Sequence, residues 1–541
     1  MDRLTSRGEW GARSRSESGS RSRSRSRSVA VALLVAAACS PGAKKPGPAS
    51  GLGRAVWSGP ARSLRASPDG AWLAFLDACR EAKGQFLPPG TANCDLRAVR
   101  SGGGDARLVA HAVTTLPQGF VWSPSGAALA ALGGYDYGAG AGDLTLWRPG
   151  SEPRAVASGV TYDGFGPGGE LGAVAGGKLV LVAGEGVAEV KGARDVATFE
   201  FRPAAREAGA ARIEALARRG AGAGGDLLGV RGGGAFPVAP NVLEYLWSAD
   251  GRWAAFTSRE GSVQPLHLAS GDAVAQARRV AADGRQAAFS PAGDALAFLA
   301  GTAPGRQGDL TLIVPGRGGA TSLAREVGEY RWAARVSRLA WLERYDPRVR
   351  SGTLGVGGLG LAPRTVAAHV SDFDLAPDGR RVAYLQHTTR GGYSVDLGMA
   401  DVEAPAGAAP AVVAQGVFGF AFSPDGRWLY YRTRCTRNGE ACDLERVPAA
   451  GLGPGEKPER IAQGAKSFDF DPRDPERLLI GFQRMDMVAL DVAVWDRGRL
   501  VAVEQAVEPG TAQFLGPDSR RLAYVVVHPK RAGVYVAELA R

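Results

Sequence analysis

The sequence predicts an all-β protein, on three observations. A turn phrase recurs and each time precedes a short apolar run, as in SPDGAWLAFL from Ser67 and SPDGRWLYY from Ser423. The phrase or a weaker copy of it returns about eleven times, mostly 42–47 residues apart. Helical periodicity is scarce, while 77 glycines and 33 prolines suit a chain of many turns. A period of this length with several strands per repeat is the mark of a β-propeller built from four-stranded antiparallel blades. One repeat cannot bury its own faces, but a ring of them can.

Residues 1–28 are a basic, Arg/Ser-rich, low-complexity stretch with eight arginines and three acids. Residues 29–39 continue as VAVALLVAAA and Cys39, a short apolar core ending in small residues. Basic region, short core and small residues make an export signal, which lies outside the fold. AAAC-S resembles a bacterial lipoprotein cleavage box, in which Cys39 becomes the lipid-carrying N-terminus. The family prefers leucine three residues before the cysteine, where this chain has Ala36. Ordinary cleavage near Ala38 is the competing reading. Ser40 after the cysteine implies, by that resemblance, the outer membrane rather than the inner one. Residues 40–53 read as a flexible linker. Arg-Ser runs also occur in RNA-processing tails, but no RNA-binding module is present downstream.

Residues 54–541 carry the repeats. Strong copies start at Val121, Leu246, Ala288, Phe373, Phe420 and Phe514, and weaker ones at Tyr162, Phe199, Tyr330 and Phe468. Proline presets the second position of a type I turn, and aspartate and glycine suit the next two. The apolar run after it reads as a strand buried on both faces. Fourth strands rhyme as AVASG at 155–159, VVAQG at 412–416 and RIAQG at 460–464. AVWSG at 55–59 rhymes with them but precedes the first turn, and the chain stops after VYVAEL with no fourth strand. The N-terminal strand is therefore expected to complete the last blade and remove an open edge. The phrase resembles the WD-like repeats of TolB-type propellers. That resemblance implies a fold and is nearly silent on activity. Eleven repeats exceed the usual ring, so one large ring and two fused rings, with a seam near 290, both stay open.

Five cysteines are present. Cys79 and Cys94 span one loop between second and third strands, and Cys435 and Cys442 span another. Local pairs in an exported chain argue for two disulfides. Zinc is not expected, since neither pair has close metal spacing or a neighbouring histidine.

No catalytic or cofactor motif stands out, and no cofactor is expected. His111, His267, His369, His387 and His528 form no paired metal spacing. No nucleophile elbow appears. Asp469, Asp471 and Asp474 suggest calcium, but Arg473 occupies a ligand-like place, and a solvated turn is the better reading. The net charge of +11 comes nearly half from residues 1–28, which leaves no footprint for nucleic acid.

The loops between second and third strands are long and varied, and binding concentrates on such loops. Tyr135, Tyr137, Arg344, Tyr345, Arg348, His387, Arg390 and Tyr393 suit an interface, being aromatic or basic. The expected function is an exported, lipid-anchored, non-catalytic binding scaffold of the bacterial cell envelope with a protein or peptide partner. The alternative is a hydrolase or lyase with its site in the central channel.

Overall fold

The computed structural model describes residues 53–539, apart from 83–86, 184–185, 204–213, 221–223, 232, 302–306, 388–394, 406, 437–438 and 485–487. Cys39, Arg390 and Tyr393 lie outside the described residues. The described residues form thirty-nine strands, paired antiparallel, and two short 3-10 turns. Five long strands each close one four-stranded group and open the next: Arg154–Phe165, Gly234–Trp247, Ala320–Trp332, Leu361–Leu375 and Glu459–Phe470. Among the described residues the strands therefore sort into eleven four-stranded blades. The weaker turn copies all fall in such blades.

Blade 1 is Arg62–Ala66, Trp72–Glu81, Ala92–Arg100 and Arg107–Thr114. The rest are numbered along the chain to blade 11, whose own strands are Gln513–Leu515, Arg521–Val526 and Gly533–Glu538. The N-terminal strand Gly53–Ser58 pairs antiparallel with Gly533–Glu538, Gly53 opposite Ala537 and Ser58 opposite Gly533. It lies as a fourth strand beside the three strands of blade 11.

The turn phrase works through one serine and one aspartate. In blade 9 the backbone N–H of Trp428 donates to Ser423 Oγ at 3.0 Å, and that hydroxyl donates to Asp425 Oδ1 at 2.6 Å. Asp425 also accepts from the Arg427 N–H at 3.1 Å. Gly426 sits at φ +78°, which favours glycine there. These contacts hold the Asp425 carboxyl below its usual range against the opposing effect of burial, which is the largest single influence on it. The strand after the turn is dry: Leu429, Tyr430 and Tyr431 are fully buried.

Apolar clusters join each blade to the next. Ala74, Leu96, Trp122 and Leu129 link blades 1 and 2. Leu266, Leu268, Leu296 and Phe298 link blades 5 and 6, on either side of residue 290. Val492, Val494, Leu522 and Tyr524 link blades 10 and 11. Leu73, Phe75, Val525 and Val536 then link blade 11 to blade 1.

First strands of neighbouring blades bond to one another, so they lie innermost. Trp122 Nε1 donates to the Arg65 carbonyl at 3.1 Å, and Trp332 Nε1 to that of Ala288 at 3.1 Å. Gln513 joins blades 11 and 1, accepting from the Ala66 N–H and donating to the Leu64 carbonyl, each at 3.0 Å. The two faces of the blades differ. Turns between first and second strands and between third and fourth strands share one side, as the Ser101 N–H to Ala71 carbonyl bond of 2.9 Å in blade 1 shows. The opposite side carries the loops between second and third strands. We call these the turn face and the loop face.

Candidate functional site

The loop face begins at a repeated kink. Ala78, Gly134, Arg344 and Arg434 all have positive φ, between 46° and 55°, near the end of a second strand. In blades 1, 2 and 7 the pairing register slips at this point, between Asp77 and Arg80, Gly133 and Asp136, and Glu343 and Asp346. Such a bulge bends a strand and re-aims the residues beyond it. The kink throws the loop outward from the same place in different blades.

Two of these loops are covalently closed immediately after the kink. Cys79 bonds Cys94 with Cα atoms 4.0 Å apart, and Cys435 bonds Cys442 at 3.9 Å. The sequence places both pairs correctly. Replacing either pair by alanine is expected to lower stability by about 2–3 kcal/mol, read as a lower urea midpoint for each double variant. An unchanged midpoint in C435A/C442A would show that the loop closes without its bridge.

The proposed contact residues divide on inspection. Tyr135 is only 8% exposed, and its ring meets that of Tyr137 edge-on at 5.1 Å. The Tyr137 hydroxyl lies 2.9 Å from Thr114 Oγ1 and donates to the Ala92 carbonyl at 2.8 Å. Tyr137 thus ties blade 2 to blade 1, while the Tyr135 ring packs into the cluster joining blades 2 and 3, so neither is a free contact residue. Tyr345 is half-buried, packed beside the cluster joining blades 7 and 8, and its carbonyl accepts from Gln307. Arg344 and Arg348 are exposed on the same loop, with Arg344 3.4 Å from Glu343. His387 is exposed at the end of its strand.

Sequence reasoning missed one prominent side chain. Phe418, between blades 8 and 9, is 57% exposed. A Cβ on Gly439 would lie 2.5 Å from the Phe418 ring, so the second cystine loop rests directly on it. Arg432 stands 5.3 Å from the ring centroid. Phe418 comes just after the fourth-strand rhyme, in a connection that carries no repeat signal.

Beside the second cystine, charge is concentrated. Arg434 bonds Asp443 at 2.8 Å and also Glu445, and Tyr431 donates to Glu445 at 3.0 Å. Burial, then the Glu445 charge, raises the Tyr431 hydroxyl pKa. The innermost strands hold a second set of charges. Arg331 lies 3.0 Å from Asp372 and over the Phe373 ring at 4.7 Å. Burial pushes the Asp163 carboxyl up to about 7. Asp471 is fully buried, accepting from Ser519 at 2.8 Å, while Pro472 and Arg473 of the same turn are exposed. Asp474 pairs with Arg497 at 2.7 Å. No group of three metal-type ligands occurs among the described residues.

Asp163 yields a pH prediction. Its folded pKa of about 7 lies above the ordinary 3.8, so the fold favours the neutral acid. Stability from this group is complete below about 4 and falls as pH rises towards 7. Asp163→Asn should therefore be more stable than the parent at pH 8, by up to about 4 kcal/mol, and similar to it at pH 4. Urea unfolding at both pH values checks this. An equal gap at both would remove the titration as cause.

No protein family matches the chain, and no curated protein does either. Solved structures similar to it include a eukaryotic initiation factor, at 10% identity and TM-score 0.38, covering 75% of this chain and 89% of that one. Another is the Dos1 propeller, at 10% identity and TM-score 0.34, covering 66% and 96%. A third is an oligogalacturonate lyase in complex with manganese, at 13% and 0.31, covering 64% and 96%. No helix of the described residues is long and apolar enough to cross a membrane.

Proposed function

We propose that this chain is an exported binding scaffold of the bacterial cell envelope, anchored by lipid on Cys39, that takes a protein or peptide partner on its loop face. Its blades are read as one closed ring of eleven, supported by the chain of interblade cores that returns from blade 11 to blade 1. The observation that carries the reading is the loop face itself. Two of its loops are pinned by cystines, and the second supports the exposed ring of Phe418. Exposed aromatic and arginine side chains on a rigid support are what interface centres use. Disulfides persist in oxidising compartments, which agrees with export.

The test compares partners crosslinked to the parent and to a variant with alanine at Arg344, Arg348, His387 and Phe418. The variant is expected to lose the specific partner while keeping its unfolding midpoint. An identical set of crosslinked partners would end the reading. A second reading, a hydrolase or lyase acting in the channel, has one observation in its favour: burial holds Asp163 near neutrality at an innermost strand, as in many general acids. On that reading Asp163→Asn abolishes turnover of a glycan or peptide substrate and leaves crosslinking unchanged.

A further inference from the structure

We propose a second binding site: a groove on the turn face, between blades 6 and 7, that takes the free C-terminal carboxylate of an extended peptide ending in an apolar residue. It lies apart from the loop face and does not rest on the reading given for that face. Two third-to-fourth-strand turns form it, one after Gly308–Ile313 in blade 6 and one after Ser351–Gly358 in blade 7. The cavity between them holds about 430 Å³, which suits a chain end rather than a folded surface. Leu312 and Leu323 of blade 6 and Leu361 and Pro363 of blade 7 line it, and so does Leu359, which is 39% exposed. Both turns are braced. Gly316, at φ +80°, sets its backbone against Trp253 of blade 5, since a Cβ there would lie 3.4 Å from that ring. Gly358, at φ +147°, has no room for a Cβ, which would lie 2.5 Å from the Ser337 carbonyl oxygen. The Leu359 N–H donates to that same oxygen at 3.0 Å. The groove is therefore formed before a ligand arrives.

The charge at the groove calls for an anion. Arg317 alone carries charge among the described residues that line it, and it is exposed. Its guanidinium makes no hydrogen bond or ion pair among the described residues. Gly318 and Gly319 follow it. A Cβ on either would meet nothing within 4 Å, and neither N–H bonds to the described backbone. An arginine beside open backbone N–H groups is suited to capture a terminal carboxylate. The leucines and Pro363 then receive the last side chain. A strand edge favours a peptide over a simple aliphatic acid. From Ala320 to Ala324 the fourth strand of blade 6 pairs only with Gly308–Ile313, and Arg338–Asp346 pairs with it only from Val327 onward. Its other edge is open among the described residues, and Ala320, Thr321 and Ser322 are exposed. An extended chain can add there, backbone to backbone. An aliphatic tail has no groups to use that edge.

The experiment offers the immobilised full chain two pools of hexapeptides, randomised except for a last residue of valine, leucine or isoleucine. One pool ends in a free carboxylate and the other in an amide, and retained peptides are read by mass spectrometry. The free-acid pool is expected to be retained about tenfold better or more, the factor that one hydrogen bond to a charged group supplies. Arg317→Ala should remove that preference. Gly318→Asp, which sets a competing carboxylate on the open turn, should remove it too. Both positions are exposed, so the two variants should keep the parent's unfolding midpoint. The loop-face variant with four alanines should retain the peptides as the parent does. Equal retention of the two pools, retention of neither, or a preference that survives in R317A would overturn the proposal. Octanoate, a carboxylate without peptide groups, should compete about tenfold more weakly than a retained peptide. Equal competition would make the groove a site for aliphatic acids and end the peptide assignment, while leaving the loop-face test untouched.

Discussion

Replacing Val56 by aspartate is expected to destabilise the protein by more than about 3 kcal/mol, because it buries an unpaired charge. Val56 is 8% exposed and belongs to the core that joins blade 11 to blade 1. Its neighbour Trp57 packs against Phe75 at 5.6 Å and lies 5.1 Å beneath the Arg97 guanidinium. Deleting residues 53–58 should be worse. It exposes the same core and leaves the edge of Gly533–Glu538 with unpaired N–H and C=O groups, a template for aggregation. Urea unfolding with size-exclusion chromatography reads both effects. A synthetic peptide covering 51–60 should partly restore the deleted form by pairing with that edge. Unchanged midpoint and elution in the deletion variant would mean that the strand is an ornament on an already closed structure.

The second large effect is expected at Arg531. Glu504 has no solvent exposure, and Arg531 holds it with two bonds, at 3.2 and 2.8 Å. The Gln505 N–H adds a bond at 2.9 Å. Tyr524, fully buried, stands 3.5 Å away, and its pKa is raised by burial first and by the Glu504 charge second. Arg531 itself is 44% exposed and loses little by being cut back. Arg531→Ala therefore leaves a buried carboxylate without its cation, at a cost of about 3–5 kcal/mol. The companion change Glu504→Gln should recover most of the loss in the double variant, since it removes the orphaned charge. If the two single losses simply add, the pair is not coupled and the argument fails.

The repeat grammar was readable because it is local. A serine, an aspartate and a glycine within four residues make a turn by bonding one another, as Ser423, Asp425 and Gly426 do. That signal recurs often enough to count. The cystines were legible for the same reason: each joins partners across one hairpin. The burial of Tyr135 was not legible, because it comes from packing against the neighbouring blade, which the loop's own sequence does not mark. Phe418 was missed because its connection lacks a repeat signature.

By itself the sequence determined the all-β class and the two bridges. Each arises from contacts within one repeat or from echoes between repeats. Only the tertiary structure decided which side chains share a space. The Arg331–Asp372 pair joins different blades, and so does the Arg531–Glu504 pair. The raised pKa of Asp163 depends on what its neighbours exclude. Such pairings depend on how flat blades twist and stack, a property of the whole assembly that no single repeat encodes.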